Sequence, residues 1–286
     1  MADEATQSDR TPRLARLAMR DLRRKVKKGR GEPLTSDDWA AWFELGLDHH
    51  YGGIKRLLRR LPSSPRCGIC GAPFAGAGAR VVRPFGFRPS RKNPHLCATC
   101  VESSPPGGTT LEAGVMFADV RGFTTLSESS DPEAVSVLLR KFYAAAEHVL
   151  FPEAVIDKLI GDEVMALYLP MWKQLDDPAG LMVRQARDLL EHVGYGTPEG
   201  PFVEVGVGLD FGEAFVGNIG NRSLYDFTAV GDVVNTASRL QGEARGGEIV
   251  LSSRVAAALD DPPGEPIEVT VKGKAEPVAA RRVAVG

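Results

Sequence analysis

Residues 114–128 read GVMFADVRGFTTLSE. The run Val115-Met116-Phe117-Ala118 has the character of a buried strand, and Asp119 interrupts it. Arg121 and Gly122 follow, then Phe123-Thr124-Thr125. A carboxylate is a poor strand residue and is costly beside apolar neighbours, so its presence needs a chemical reason. A glycine turn entering a helix leaves backbone N–H groups open to an anion.

The residues after this stretch predict the fold. Asp131-Pro132 is an N-cap followed by proline at the first helical position. Val135, Leu138, Leu139, Phe142 and Val149 recur at helical spacing and predict a core face. The segment AVIDKLIGDEVMALYL has two β-rich arms around Gly161-Asp162, the pattern of a hairpin. A helix is predicted at about 178–193, with Leu181, Met182, Leu189 and Leu190 on its apolar side. FVEVGVGLDFGEAFVGNIG reads as a second hairpin turning near Phe211-Gly212. DFTAVGDVVNTASRLQGEA reads as a strand feeding a helix, and EIVLSS and IEVTVKGK…PVAARRVAV add strands. The order is that of an α+β, ferredoxin-like βαββαβ core with additional strands.

In that topology the first strand lies beside the hairpin that follows its helix. Asp119 at the strand end and Asp162 at the hairpin tip then meet at one edge. Two carboxylates with little to neutralise them suit hard divalent cations such as Mg2+. Two such ions can activate an attacking oxygen and stabilise a leaving one. RGFTT places a phosphate cradle of Gly122, Phe123 and Thr124 next to the metal ligand, which implies a nucleoside triphosphate–metal complex as substrate. Alone, neither aspartate is specific, because strand-end Asp and Gly-Asp turns are common.

FADVRGFT, DKLIGDEVMA, FTAVGDVVNTASRL and VKGKAEP occur in that order. This set closely resembles the class III nucleotidyl (adenylate/guanylate) cyclase domain, over roughly residues 110–285. The resemblance implies a head-to-tail homodimer with active sites at the interface and two Mg2+ or Mn2+ ions in each. It implies that Asp119, Asp162 and the Val120 carbonyl bind metal. It implies that Lys158 and Thr228 read the base, Thr228 standing where other members carry Asp. It implies that Asn235 and Arg239 orient the ribose and stabilise the developing phosphate charge, and that Lys272 binds the triphosphate, with Lys274 its rival. Asn235 and Arg239 are four residues apart, on one face of a helix. Lys158 can donate to adenine N1, whereas guanine-specific members often carry Glu and Cys at these places, so ATP is the expected substrate. A threonine hydroxyl both donates and accepts, so GTP, CTP and UTP stay open. A catalytically silent nucleotide-binding regulator is the remaining alternative, and the complete set of matched residues argues against it.

The chain has 286 residues and a net charge of −2, which conceals an asymmetry. Residues 1–100 carry 20 Lys/Arg against 9 Asp/Glu, and the remainder 15 against 28. A boundary near residue 100 is therefore expected. Residues 10–30 hold ten basic residues and one acid. They read either as a solvated tail or as a basic amphipathic helix for an anionic membrane, in peripheral contact, for nucleic acid or for a partner helix. No apolar run is long enough to span a bilayer, and MADEATQSDR has no signal-peptide core, so a cytoplasmic, possibly membrane-associated location is the expectation.

Ser36, two acids, Trp39, Trp42 and Phe43 mark a helix over about 36–47, and IKRLLRRL a second. His49 and His50, adjacent on a helix, point apart and do not suggest a shared metal. All four cysteines, Cys67, Cys70, Cys97 and Cys100, form C-x2-C, a gap, and C-x2-C. Each pair can present two thiolates from one turn, so the four predict a closed structural Zn2+ site with no catalytic water. Disulfides are disfavoured in a cytosolic chain. Arg80, Arg83, Arg88, Arg91 and Lys92 surround this segment; nucleic acid is not expected as a partner, and a solvated or domain-contacting face is. The expected organisation is a basic helical or disordered tail (1–31), a small helical, zinc-ribbon-like module (32–102), a linker (103–110) and a nucleotidyl cyclase catalytic domain (111–286).

Overall fold

The computed structural model describes residues 35–41, 58, 60–61, 65–67, 71–101, 106–169, 177–220, 225–270 and 277–285. The basic segment 10–30, Trp42, Phe43, His49, His50, Cys70, Lys272 and Lys274 lie outside them, as does the Cys100 side chain. Two units emerge: residues 1–110 with 215–228, and residues 111–214 with 229–286.

The second unit is built on alternation along β1 (Gly107–Val120). Met116, Ala118 and Val120 face one side and join the main core. Asp119 therefore points to the opposite side, because successive strand residues alternate. The core covering the first face comes from α5 (Pro132–Leu150) and α6 (Pro178–Val193). Phe142, Ala146 and Leu150 of α5 and Met182, Ala186, Leu189 and Leu190 of α6 are buried there. Asp131 caps α5 by accepting from the Glu133 and Ala134 N–H groups. Asp177 caps α6 through Gly180 N–H at 2.7 Å. Both caps precede proline, as expected of helix starts.

β2 (Val155–Ile160) and β3 (Glu163–Tyr168) form the expected hairpin. β4 (Val205–Gly220) lies on the other side of β1. The order β4-β1-β3-β2 is that of a ferredoxin-like sheet, with β1 and β3 antiparallel. β6 (Glu248–Ser252), β8 (Val278–Ala284) and β7 (Glu265–Val269) extend it beyond β4. α7 (Asp232–Glu243) packs on the second face through Leu240, near Val250, Val269 and Ala280. The short α8 (Ser253–Ala257) follows β6. The α+β prediction thus holds, with additional strands.

Three details differ from expectation. The strand placed at about 113 begins at Gly107, inside the glycine-rich stretch read as linker. Those glycines are a close backbone pair: a Cβ on Gly108 would lie 2.5 Å from the Val216 carbonyl oxygen, and one on Gly217 2.2 Å from that of Gly107. The hairpin predicted to turn near Phe211-Gly212 does not turn there, and β4 continues to Gly220. Gly212 is absent from the positive-φ glycines, and the neighbouring Asp210 is a buried carboxylate neutralised inside the strand. β5 (Tyr225–Val230) pairs with β4, off the main path of the sheet. Lastly, Val135 and Leu139 of α5 are only partly buried, Val137 is exposed, and of the first half of the helix Leu138 packs against the core. Burial begins at Phe142, half-way along the helix.

The first unit holds α1 (Ser36–Ala41), α2 (Gly76–Val82) and α3 (Ala98–Val101). Trp39 is fully buried. Arg66 binds the carbonyls of Leu58 and Gly71. Two single-pair β-bridges, Arg66 with Pro73 and Pro89 with Cys97, lie next to Cys67 and at Cys97. Among the described residues no helix is long and apolar enough to cross a membrane.

Candidate active site

The site grows from the β1–β3 ladder. Its last pair sets Asp119 opposite Glu163, and the Val120 N–H donates to the Asp162 carbonyl at 3.3 Å. This register carries Asp162 to the end of β1, where its carboxyl comes within hydrogen-bonding reach of Asp119. The two aspartates expected to meet at one edge do so. Burial first, then the Asp119 carboxylate, pushes the Asp162 acid up to about 6. Burial, then Asp119 and Asp162, pushes Glu163 up to about 6 as well. Three crowded acids hold more negative charge than their surroundings offset, which is the electrostatic condition for a cation.

Sequence reasoning missed what holds Asp119. Its Oδ2 accepts from Arg121 and, at 3.2 Å, from the Gln241 side-chain amide. Arg121 also reaches the Gln241 and Ala244 carbonyls at 3.5 and 3.3 Å. Arg121 stood in the opening motif; Gln241, 122 residues from Asp119, gave no local signal.

The glycine turn after Asp119 enters a helix, as the sequence predicts. Gly122 caps α4 (Phe123–Ser129) with φ 67°, the left-handed region, and no side chain caps the helix start. A Cβ on Gly122 would touch nothing within 4 Å, so glycine serves the turn's conformation rather than crowding. Gly161 likewise has φ 65° at the tip of the β2–β3 hairpin, and its carbonyl accepts from the Tyr143 hydroxyl.

Lys158 lies on β2 just past a bulge between Ile156 and Lys158. The bulge lets the adjacent Asp157 bury its carboxylate while Lys158 stays partly exposed, its Nζ 3.4 Å from Asp157 Oδ2. Thr228 is buried on β5. Asn235 is exposed and Arg239 partly exposed on α7. The start of α7 is anchored by Arg254 of α8, which joins Asp232 at 3.2 Å to the wholly buried Asp210. Ser252 completes the cluster by donating to Asp210 at 2.5 Å. The Asp210 carboxylate holds the Arg254 guanidinium still more firmly protonated.

Among the described residues no three His, Cys, Asp or Glu side chains form a ready-made metal cage. Two carboxylates at a strand edge fit a hard cation that also takes oxygens from the substrate, the usual manner of Mg2+. In the first unit, Cys67 and Cys97 are buried, and the Cys97 N–H donates to Cys67 Sγ at 3.2 Å. Gly71 N–H donates to the Cys67 carbonyl at 2.9 Å.

The stretch of chain that carries this site matches a known family. The adenylate and guanylate cyclase catalytic domain matches residues 108–282. This chain belongs to that family. An adenylate cyclase of Anabaena cylindrica is 29% identical over 199 residues, covering 63% of this chain and 40% of that protein. The chain thus spans well under half the length of this curated relative. Among solved structures, the guanylyl cyclase Cya2 is 28% identical with a TM-score of 0.55, over 63% of this chain and 95% of that one. The adenylyl cyclase CyaB from P. aeruginosa is also 28% identical, with a TM-score of 0.54, over 62% and 96%.

Proposed function

We propose that this chain is an adenylate cyclase, converting ATP to cyclic AMP and pyrophosphate in a head-to-tail homodimer. The observation that supports this best is the meeting of Asp119 and Asp162 beside the open helix start at Gly122. Asp119, Asp162 and the Val120 carbonyl would hold two divalent ions, Mg2+ or Mn2+. Bound there, such ions would supply activation of the ribose 3′-oxygen and neutralisation of triphosphate charge. Gly122, Phe123 and Thr124 offer N–H groups to the phosphates. Arg239 forks onto the α-phosphate as negative charge builds there, and Asn235 orients the ribose from one turn earlier. Lys272 binds the outer phosphates.

Relatives of similar identity are named for adenine and for guanine products. The choice of base therefore rests on Lys158 and Thr228, which suit adenine N1 and its amino group. Exposed Val137 and Leu159, with the open first half of α5, support a partner chain over this unit.

The four cysteines are proposed to hold structural zinc. Supporting this, Cys67 and Cys97 come from separate C-x2-C pairs yet touch through an N–H···S contact, each beside a β-bridge. Chelation of the purified protein should release one zinc per chain, loosen the dimer and lower turnover. Zinc release with dimer and turnover intact would separate the metal from catalysis.

The test of function is incubation of the purified chain with ATP, GTP, CTP or UTP and Mn2+, with products identified by mass. Cyclic AMP as the main product is expected, and Asp119→Asn should abolish it. A different cyclic product keeps the metal chemistry and overturns the base assignment. No product from any nucleotide favours the silent regulator.

A further inference from the structure

Lys92 belongs to the cysteine segment, yet its side chain is only 11% exposed. A lysine so enclosed needs partners for its charge. It has them 135 residues away, on β5. Its Nζ donates to the Phe227 carbonyl at 2.5 Å and pairs with Asp226 Oδ1 at 3.0 Å. Lys92, Asp226, Phe227 and Thr228 all belong to the first unit.

These two contacts fall on the residues that determine where Thr228 points. The Phe227 carbonyl is half of the peptide plane that leads into Thr228, so holding it limits rotation of that plane. Asp226 and Thr228 are two apart and share one face of β5. A slip of one residue would turn Thr228 to the other face. β5 pairs with β4 off the main path of the sheet, so the sheet restrains it less than an inner strand.

Lys92 is itself held by the cysteine segment. Its N–H donates to Ser90 Oγ at 3.0 Å. Ser90 N–H donates to the Leu96 carbonyl at 2.8 Å, and Leu96 N–H to that of Asn93 at 2.9 Å. The loop closes at the bridge between Pro89 and Cys97. A connected path therefore runs from Cys97 through the 89–97 loop to Lys92, and from Lys92 to the residue before Thr228.

We propose that Lys92 is a specificity-determining positioning residue, through which the cysteine segment fixes Thr228 for base selection. The proposal rests on the reading of Thr228 as a base contact. On it, the cysteine segment shapes the base pocket by a charge-assisted grip on β5.

The test uses the full chain with Lys92→Met, Lys92→Arg, Asp226→Asn and, as a control on the base reading, Thr228→Ala. Dissociation constants for fluorescent ATP and GTP analogues are measured alongside KM and kcat, so a chain with little turnover still gives a readout. Lys92→Met should reduce the preference between the two nucleotides by roughly tenfold, the scale of a lost charge-assisted bond. The change should lie in Kd and KM, with kcat altered by no more than about twofold. Lys92→Arg should restore most of the preference, since its guanidinium can reach both acceptors. Asp226→Asn, on a 53% exposed side chain, should give a smaller shift in the same direction. If Thr228→Ala changes the preference and Lys92→Met and Asp226→Asn do not, the proposal is overturned and the base reading stands. If Thr228→Ala also leaves the preference unchanged, the base reading fails and the proposal falls with it. Should Lys92→Met fail to fold, Asp226→Asn and Lys92→Arg decide the matter by the same ratio.

Discussion

Gln241 donates its side-chain amide to Asp119 Oδ2 at 3.2 Å, from the last turn of a helix on the second face of the sheet. Asp119 leaves β1 on that same face, so strand alternation and helix packing together bring the pair into contact. A neutral amide leaves the carboxylate charged while fixing its direction. Gln241→Ala should therefore raise the Mn2+ concentration for half-maximal turnover by about tenfold, as loss of an outer-shell partner commonly does. The preference among nucleotides should not change. A Mn2+ titration of turnover in the variant checks this, and an unchanged half-maximal concentration would remove Gln241 from the site.

The acids crowded at this edge make stability depend on pH. Unfolded, Asp162 titrates near 4; folded, burial and Asp119 push it up to about 6, and Glu163 behaves similarly. Between those values the folded chain holds protons that the unfolded chain has released. Their contribution to stability is therefore fully present below about pH 4 and is lost as pH rises through 6. A divalent ion replaces the missing protons, so the Mn2+-induced rise in Tm should be larger at pH 7.5 than at pH 5. Asp162→Asn should raise the metal-free Tm at pH 7.5 by about 2 °C or more, abolish most of the Mn2+ shift and abolish turnover. Equal Mn2+ shifts at both pH values in the parent chain would count against metal binding by these acids.

Arg254 ties Asp210 to Asp232, and Asp210 has no exposed side-chain surface. Arg254→Met would leave a buried carboxylate without its cation, at a cost of about 3 kcal/mol. Asp210→Asn should cost less, because the Ser252 hydroxyl can still bond to it. Urea midpoints of the two single variants and the double variant measure the coupling. Additive effects would mean that the three residues do not act as one unit.

Much of this was readable from the sequence because the signals are local. Asp131-Pro132 marks the start of α5, and α6 fills the predicted span of 178–193. Asp119 and Asp162 could be paired because the ferredoxin-like order sets their strands side by side. What escaped depended on residues distant in sequence. Phe211-Gly212 reads as a turn until Arg254 and Ser252, more than 40 residues later, are seen to neutralise the adjoining Asp210 inside a continuous strand. Gly107-Gly108 imitates a linker until the backbone of β4 is seen against it. Val135 and Leu139 have the spacing of a core face, but spacing does not say which half of a helix the chain itself buries. Gln241 reads as one polar residue among several on α7.

Two glycines on either side of one contact give opposite predictions. Gly208 of β4 lies under α7, and a Cβ there would come within 2.2 Å of Gln241 N and 2.3 Å of the Ala237 carbonyl oxygen. Both are helix backbone atoms and cannot step aside singly, so Gly208→Ala must move the helix. The cost should be about 2 kcal/mol or more, in the range of overpacked cores. Because α7 carries Asn235 and Arg239 and presents Gln241 to Asp119, kcat should fall with stability. Gly242 lies within α7, and nothing stands within 4 Å of a Cβ placed there. Gly242→Ala should therefore stabilise the chain, by up to about 1 kcal/mol, and leave turnover unchanged. Thermal melts and initial rates on the two variants decide the point. A Gly208→Ala protein as stable and active as its parent would mean that α7 does not rest on β4 at this contact.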